Sequence, residues 1–353
     1  MNILYNTPFL NTRYAGRSIY YGYKHAFEEL GHTFKFLTTE DDLHNIIKEF
    51  SPDIFFFSLN KYATRYLDID WLLKYKREHR NLKTFVWIPF WNSPLSKLRI
   101  NETPSLSQMP DMLEILKSGL CDFCYSQVDE NDPRMEGFER ETGFKYYSIP
   151  LAADTFYMSS VFDKKFEADI SFIGTLLPEK REFIKNNVLP LKKEYDLKLY
   201  GQDWTFPEKV MSFSKKVGQY FNIPVLKDIQ KPSLSLEDEA KIYKSSIISI
   251  NVHEDYQKRF GKDCNERTFK IPLYGGFEIT DDVAIIREYF KEGEEIVIAK
   301  DSKDWYEKID YYIKNPEKRI KIMEAGKARV LKDHTYINRA KKIIDLYKGK
   351  MVS

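Results

Sequence analysis

Asn265-Glu266-Arg267-Thr268-Phe269-Lys270-Ile271-Pro272-Leu273-Tyr274-Gly275-Gly276-Phe277-Glu278-Ile279-Thr280-Asp281 reads as a turn, a short helix opened by an arginine, a glycine pair and a strand. A helix N-terminus presents unpaired backbone N–H groups and a partial positive charge, which suit a phosphate. Arg267 adds a planar fork of donors that can grip a diphosphate in bidentate fashion. Gly275 and Gly276 let the chain turn from helix to strand through backbone angles that other residues resist. Together these features predict a pocket for a phosphorylated ligand.

Outward from this stretch, short apolar strands alternate with helical patterns, which predicts an α/β fold with parallel sheets built from βαβ units. In the first half the expected strands are Asn2–Tyr5, Thr33–Leu37, Asp53–Leu59, Thr84–Ile88, Asp122–Ser126 and Tyr147–Pro150. A helix over Ser18–Leu30 closes on Gly31. In the second half, strands at Ile170–Ile173, Leu197–Tyr200, Ile247–Asn251, Phe277–Thr280 and Glu295–Ala299 alternate with helices near Lys180–Tyr195, Glu237–Lys244 and Asp304–Lys314. The pattern stops and restarts between Asp154 and Glu167, so domains are expected over 1–155 and 166–335, with a final amphipathic helix over 336–350. Residues 202–232 break the alternation with Asp203-Trp204-Thr205-Phe206, Phe213, Tyr220 and Phe221 among lysines. This insertion either packs its aromatics on the sheet or binds an acceptor or a second subunit.

At 353 residues, two domains of ordinary size are the natural expectation. A balance of 55 basic and 53 acidic residues gives no global field that would steer the chain to nucleic acid. Cys121, Cys124 and Cys264 make no disulfide framework, which fits a reducing cytoplasm and buried thiols. The opening strand Met1–Tyr5 predicts no secretory signal, and no apolar run is long enough to span a bilayer. No pair of histidines at helical spacing predicts a metal site. A G-x-x-x-x-G-K-[ST] loop, a G-x-G-x-x-G after the first strand and a G-x-S-x-G elbow are all missing, which argues against ATPase, dinucleotide oxidoreductase and hydrolase chemistry.

The segment R-T-F-x-I-P-x-x-G-G-F-x-I-T-D from Arg267 to Asp281 resembles the C-terminal signature of the CgeB-like (spore maturation protein) glycosyltransferases. Asp169-Ile170-Ser171-Phe172-Ile173-Gly174 with Arg181 downstream resembles that family's F-x-G followed by an arginine, Ile149–Asp154 its interdomain P-x-A-A-D, and His334-Thr335-Tyr336 with Arg339 its terminal H-T-Y-x-x-R. The resemblance is strong over 147–345 and weak before it. The family is similar to glycosyltransferase family 4 (group 1). The resemblance implies the GT-B arrangement: two facing Rossmann-like domains with parallel sheets, and a C-terminal helix crossing back to the first domain.

The implied chemistry is glycosyl transfer from a nucleoside-diphosphate sugar, metal-independent, without a cofactor, and retaining by similarity to family 4. Such a reaction must neutralise a leaving diphosphate and hold an acceptor against developing oxocarbenium charge. Arg181 and Arg267 are the candidates for neutralisation. Gly174 would admit the phosphates at a strand end, and Gly16 in Tyr14–Ser18 is its first-domain counterpart, where Ser18 could equally be a helix cap. Asn251, which with Tyr243 and Ser246 resembles the family's Y-x-x-S-x-x-x-x-N, either bonds the base or ties loops together. Lys270 stands where the relatives usually carry glutamate, so the ribose contact passes to Glu266 or Glu278, or Lys270 serves the diphosphate. Gly275 and Gly276 complete the candidate pocket. The acceptor class stays open among glycan, protein, small molecule and modified nucleic-acid base, and a homo-oligomer is compatible with the sequence. The alternatives are a non-catalytic sugar-nucleotide-binding module and, more remotely, a sugar-nucleotide epimerase.

Overall fold

The computed structural model describes residues 1–10, 16–92, 104–174, 178–201, 206–221, 223–227 and 234–350. The chain folds as two compact units. The first comprises Met1–Phe156, Arg259–Glu266 and Lys332–Ser353; the second comprises Tyr157–Lys258 and Arg267–Leu331.

The first unit runs β1 (Asn2–Asn6), α1 (Gly16–Glu29), β2 (Thr33–Leu37), α2 (Leu43–Phe50), β3 (Ile54–Ser58), α3 (Lys61–Thr64) and α4 (Ile69–Glu78). It continues with β4 (Lys83–Trp87), α5 (Pro110–Lys117), β5 (Phe123–Ser126), α6 (Phe138–Thr142) and β6 (Tyr146–Ser148). The strands form one parallel sheet in the order β2-β1-β3-β4-β5-β6. Ile54-Phe55-Phe56-Phe57 is buried throughout, as a central parallel strand covered on both faces must be.

In the second unit, β7 (Ala168–Ile173), α7 (Pro178–Phe183) and β8 (Leu197–Tyr200) are followed by α8 (Phe206–Tyr220) and α9 (Pro224–Lys227). Next come α10 (Leu236–Ser245), β9 (Ser246–Asn251), α11 (Asp255–Phe260), α12 (Arg267–Leu273) and β10 (Glu278–Asp281). The unit ends with α13 (Ile286–Tyr289), β11 (Val297–Ala299), α14 (Ser302–Lys314) and α15 (Pro316–Asp333). These strands form a separate parallel sheet, ordered β11-β10-β9-β7-β8. Counted from its own first strand, each sheet starts in the order 2-1-3-4-5. In such doubly wound sheets the chain reverses direction between the first and third strands, and ligands bind beyond the carboxyl ends there. For the second unit that point lies between β7 and β9.

α16 (Tyr336–Tyr347) belongs to the first unit and packs on α1. Thr335 and Asn338 cap it reciprocally, a capping box with asparagine in place of the usual glutamate. Tyr336 is buried against Tyr23, and its ring occupies the space a side chain on Gly22 would need. Arg339 donates from Nε to Pro150 O (2.9 Å) and from Nη2 to Leu151 O (3.2 Å). Within this unit the H-T-Y-x-x-R and P-x-A-A-D segments therefore hold each other.

The sequence places 259–266 inside its 166–335 domain, whereas the structure groups this segment with the first unit. Asp263 accepts a hydrogen bond from Arg134 Nη2 at 2.6 Å, and Asp132 flanks the same buried guanidinium at 2.5 Å. The expected helix over Lys180–Tyr195 is not continuous. α7 passes into a wider turn over Ile184–Val188 and a tighter one over Leu189–Lys193, where Pro190 has no N–H to extend the ladder. α15 had no counterpart in the sequence reading. Charged residues dominate it, and its buried positions are Ile322, Gly326 and Val330, a stripe one residue wide.

All three cysteines are buried thiols outside any disulfide. Burial pushes the Cys124 thiol up to about 12, so it stays protonated and unreactive at neutral pH. Among the described residues no helix is long and apolar enough to cross a membrane. Asp203, Trp204 and Thr205 of the 202–232 insertion, and Tyr14 and Ala15 of the first-domain loop, lie outside the described residues.

Candidate functional site

Arg267 opens α12 and spans the carboxyl ends of β7 and β9. Its Nη1 donates to Ile173 O (3.1 Å), its Nη2 to Val252 O (3.0 Å) and its Nε to Asn251 Oδ1 (3.0 Å). The guanidinium therefore sits at the reversal point of the second sheet, where a parallel α/β fold places its ligand. Gly174 follows β7 directly. A Cβ there would lie 2.8 Å from the Phe172 ring and 3.4 Å from Arg267 Nη1, so glycine keeps this edge of the site thin.

A second cation joins it. Lys180, on the first turn of α7, is buried, donates to Val252 O at 2.9 Å and pairs with Glu254 Oε1 at 2.8 Å. Burial lowers its pKa and the nearby Arg267 charge adds to the effect, while Glu254 opposes both. Lys180 and Arg267 thus share one carbonyl, Val252 O, and raise the local positive potential together.

Behind Arg267 a buried polar chain runs through the sheet. Asn251 is fully buried, and its Nδ2 donates to Thr268 Oγ1 (3.1 Å) and Glu278 Oε1 (2.8 Å). His253 touches Thr268 Oγ1 through Nε2 (3.1 Å) and Asp281 Oδ1 through Nδ1 (2.6 Å), and its backbone N–H also reaches Asp281. Burial lowers the His253 pKa, with Arg267 and Lys180 further opposing a third positive charge, so the imidazole is neutral. For Asp281, burial alone would raise the pKa, but its contacts with His253 and the Lys258 charge outweigh burial and keep it ionised. An ionised Asp281 fixes the proton on Nδ1, leaving Nε2 to accept from the Thr268 hydroxyl. The order is then Asp281, His253, Thr268, Asn251, Arg267, and each member orients the next.

Glu278 sits at the edge of this chain with one orphan atom. Its Oε2 is buried without a hydrogen-bond partner among the described residues, and burial raises its pKa to about 8. At neutral pH the side chain is a neutral acid.

Residues 181–345 match the family model described as glycosyl transferase-like. The match covers a little under half of the chain. Its fold agrees over nearly the full length with that of an α-glucosyltransferase solved with UDP-glucose and DNA containing an abasic site. That match has a TM-score of 0.68 at 11% identity, covering 98% of this chain and 99% of that one. Sucrose-phosphate synthase from Thermosynechococcus elongatus matches at a TM-score of 0.60 and 11% identity, covering 99% and 98%. HepE from Anabaena, solved with UDP-glucose, matches at a TM-score of 0.59 and 9% identity, covering 99% and 100%. The fold is accordingly GT-B, as the resemblance implied. No curated protein matches the sequence.

Within this fold the sequence candidates separate into groups. Arg267, Asn251 and Gly174 come together at the strand ends, and Glu278, the first residue of β10, joins them by accepting from Asn251 Nδ2. Arg181 does not join them: its side chain is exposed on α7, with no hydrogen bond or ion pair to a described residue, and the neighbouring Lys180 turns inward instead. Lys270 is buried and donates to Glu239 Oε1 at 2.7 Å, where Tyr243 also donates. Gly275 and Gly276 close α12 at the amino end of β10, with Gly275 at φ 75° and Gly276 N–H bonded to Ile271 O. They lie at the opposite end of the strand from Arg267, where a helix-to-strand turn explains them. Gly16 opens α1 in the first unit, and Glu266 also groups with that unit.

Lys180, His253, Thr268, Asp281 and Glu239 were not among the sequence candidates. Lys180 had a signal in its position beside Arg181 on the first turn of a helix. His253 had one in following the strand end by two residues.

Proposed function

We propose that this chain is a CgeB-like GT-B glycosyltransferase that moves a hexose from a UDP-sugar, with UDP-glucose the first donor to try. The observation that carries this reading is the pairing of Arg267 and Lys180 over the carboxyl ends of β7 and β9. A leaving diphosphate at that point meets a bidentate guanidinium and an ammonium, which supply charge stabilisation without a metal ion. The solved neighbours that hold UDP-glucose support the choice of donor. Retention of anomeric configuration belongs to the same proposal, on the resemblance to family 4. The buried cysteines, none in a disulfide, fit a cytoplasmic enzyme. The acceptor is a separate question, since the neighbours include both a sugar-phosphate synthase and an enzyme bound to DNA.

Lys270 gives the non-catalytic reading its support. With its ammonium held by Glu239, the position that carries glutamate in the relatives offers the ribose no carboxylate. A module of that kind would bind donor without cleaving it.

Calorimetric titration with UDP tests the site assignment. Lys180→Met is expected to weaken binding by more than about tenfold, the loss of one charge-assisted contact. Arg181→Ala should stay within about twofold, as expected for an exposed charge. A larger loss for Arg181→Ala than for Lys180→Met, with both variants folded by circular dichroism, would put the wrong cation in the site.

A further inference from the structure

The 202–232 insertion carries an apolar face that the proposed transfer does not use. Phe206, Val210, Phe213, Val217 and Tyr220 follow one another along α8 at steps of four, three, four and three, so they line a single side of the helix. Phe206, Phe213 and Tyr220 are 78%, 68% and 84% exposed, and Phe221 and Val225 continue the patch at 66% and 82%. Among the described residues α8 packs chiefly against α9. Leaving several aromatic side chains in water is costly, and an exposed apolar patch of this kind marks a surface with an external counterpart.

The chemistry of the surrounding residues selects the counterpart. Residues 206–227 hold Lys209, Lys215, Lys216 and Lys227 against Glu208 alone, a net charge of +3. A second copy of the chain would bring this charge against itself. Nucleic acid would meet the lysines, but Val210, Ile223 and Val225 gain nothing from stacking on bases. An anionic lipid surface satisfies both features. Phe and Val side chains enter the headgroup–acyl boundary, lysines meet lipid phosphates, and the Tyr220 ring suits the interfacial level. We propose that α8 and α9 dock the protein peripherally on anionic membranes, lying on the bilayer without crossing it.

The experiment is flotation of the full chain with phosphatidylcholine vesicles, with or without phosphatidylglycerol. The parent is expected to float with the anionic vesicles and to be released by high salt. Phe213→Ser combined with Tyr220→Ser should lower the bound fraction by about tenfold or more, since two interfacial aromatics are lost. Lys209→Glu should lower it on anionic vesicles alone. Both changes fall on exposed positions, so unchanged circular-dichroism melts will show that folding is intact. The proposal is overturned if the parent floats with no vesicles, or if the serine variant floats as well as the parent. It is also overturned if light scattering without lipid shows a dimer that the serine variant dissociates, which would give the face to a second copy. Retention on DNA that the same variant abolishes would overturn it in favour of nucleic acid.

Discussion

Glu278→Gln is expected to melt well above the parent at pH 8 and to show little advantage near pH 5. The native acid keeps its proton up to about pH 8, against an ordinary value of 4.5. Between those values the unfolded chain releases a proton that the folded chain retains, so parental stability falls as pH rises through the window. At about 1.4 kcal/mol per pH unit the accumulated cost is on the order of 4 kcal/mol at the alkaline end. Glutamine carries no charge, and its carbonyl can still accept from Asn251 Nδ2, so it removes the dependence without breaking the polar chain. His253 acts in the opposite direction. Its folded pKa is depressed, so below its ordinary pKa the unfolded state takes up a proton that the native state refuses, and stability falls with falling pH. Thermal melts of parent and variant across about pH 5 to 8 read both slopes. A constant difference in melting temperature over that range would mean that Glu278 is already ionised in the native state.

The second large effect is at Arg267. Arg267→Ala is expected to weaken UDP binding by about a hundredfold or more, because a bidentate charge-assisted contact is lost. It should also lower stability by about 2–4 kcal/mol, since Ile173 O and Asn251 Oδ1 each lose a donor and Val252 O keeps only that from Lys180. The sequence alone predicts a binding defect with little change in melting temperature; the three hydrogen bonds across β7 and β9 revise that expectation. Arg267→Lys keeps the charge but cannot span both strand ends, so its stability should lie close to that of the alanine variant, with part of the binding restored. An unchanged UDP affinity beside a lowered melting temperature would make Arg267 a structural clamp only.

Most of the sheet was legible in the sequence because parallel strands write themselves as short apolar runs. Thr33–Leu37 and Leu197–Tyr200 match residue for residue, and the other strands shift by a few residues at their ends. The arginine that opens α12 and the glycine turn that closes it were also visible, because helix ends demand particular residues. What the sequence withheld depends on pairing across distance. His253 and Asp281 are 28 residues apart and meet because β9 and β10 lie side by side. Lys270 finds Glu239 across 31 residues, between α12 and α10. Lys180 reads as a solvated lysine until the fold carries α7 over the end of β9 and buries it beside Glu254. Ion pairs of this sort leave no periodic trace, so neighbouring positions such as Arg181 and Lys180 cannot be ranked by pattern alone.

Donor turnover separates a transferase from a binding module. Purified protein is incubated with UDP-glucose without acceptor, and released UDP is followed by chromatography beside the Arg267→Ala variant. The parent is expected to release UDP and free glucose slowly, and the variant none above background. UDP-glucose that binds the parent and is recovered intact would contradict this expectation and leave a sugar-nucleotide-binding module.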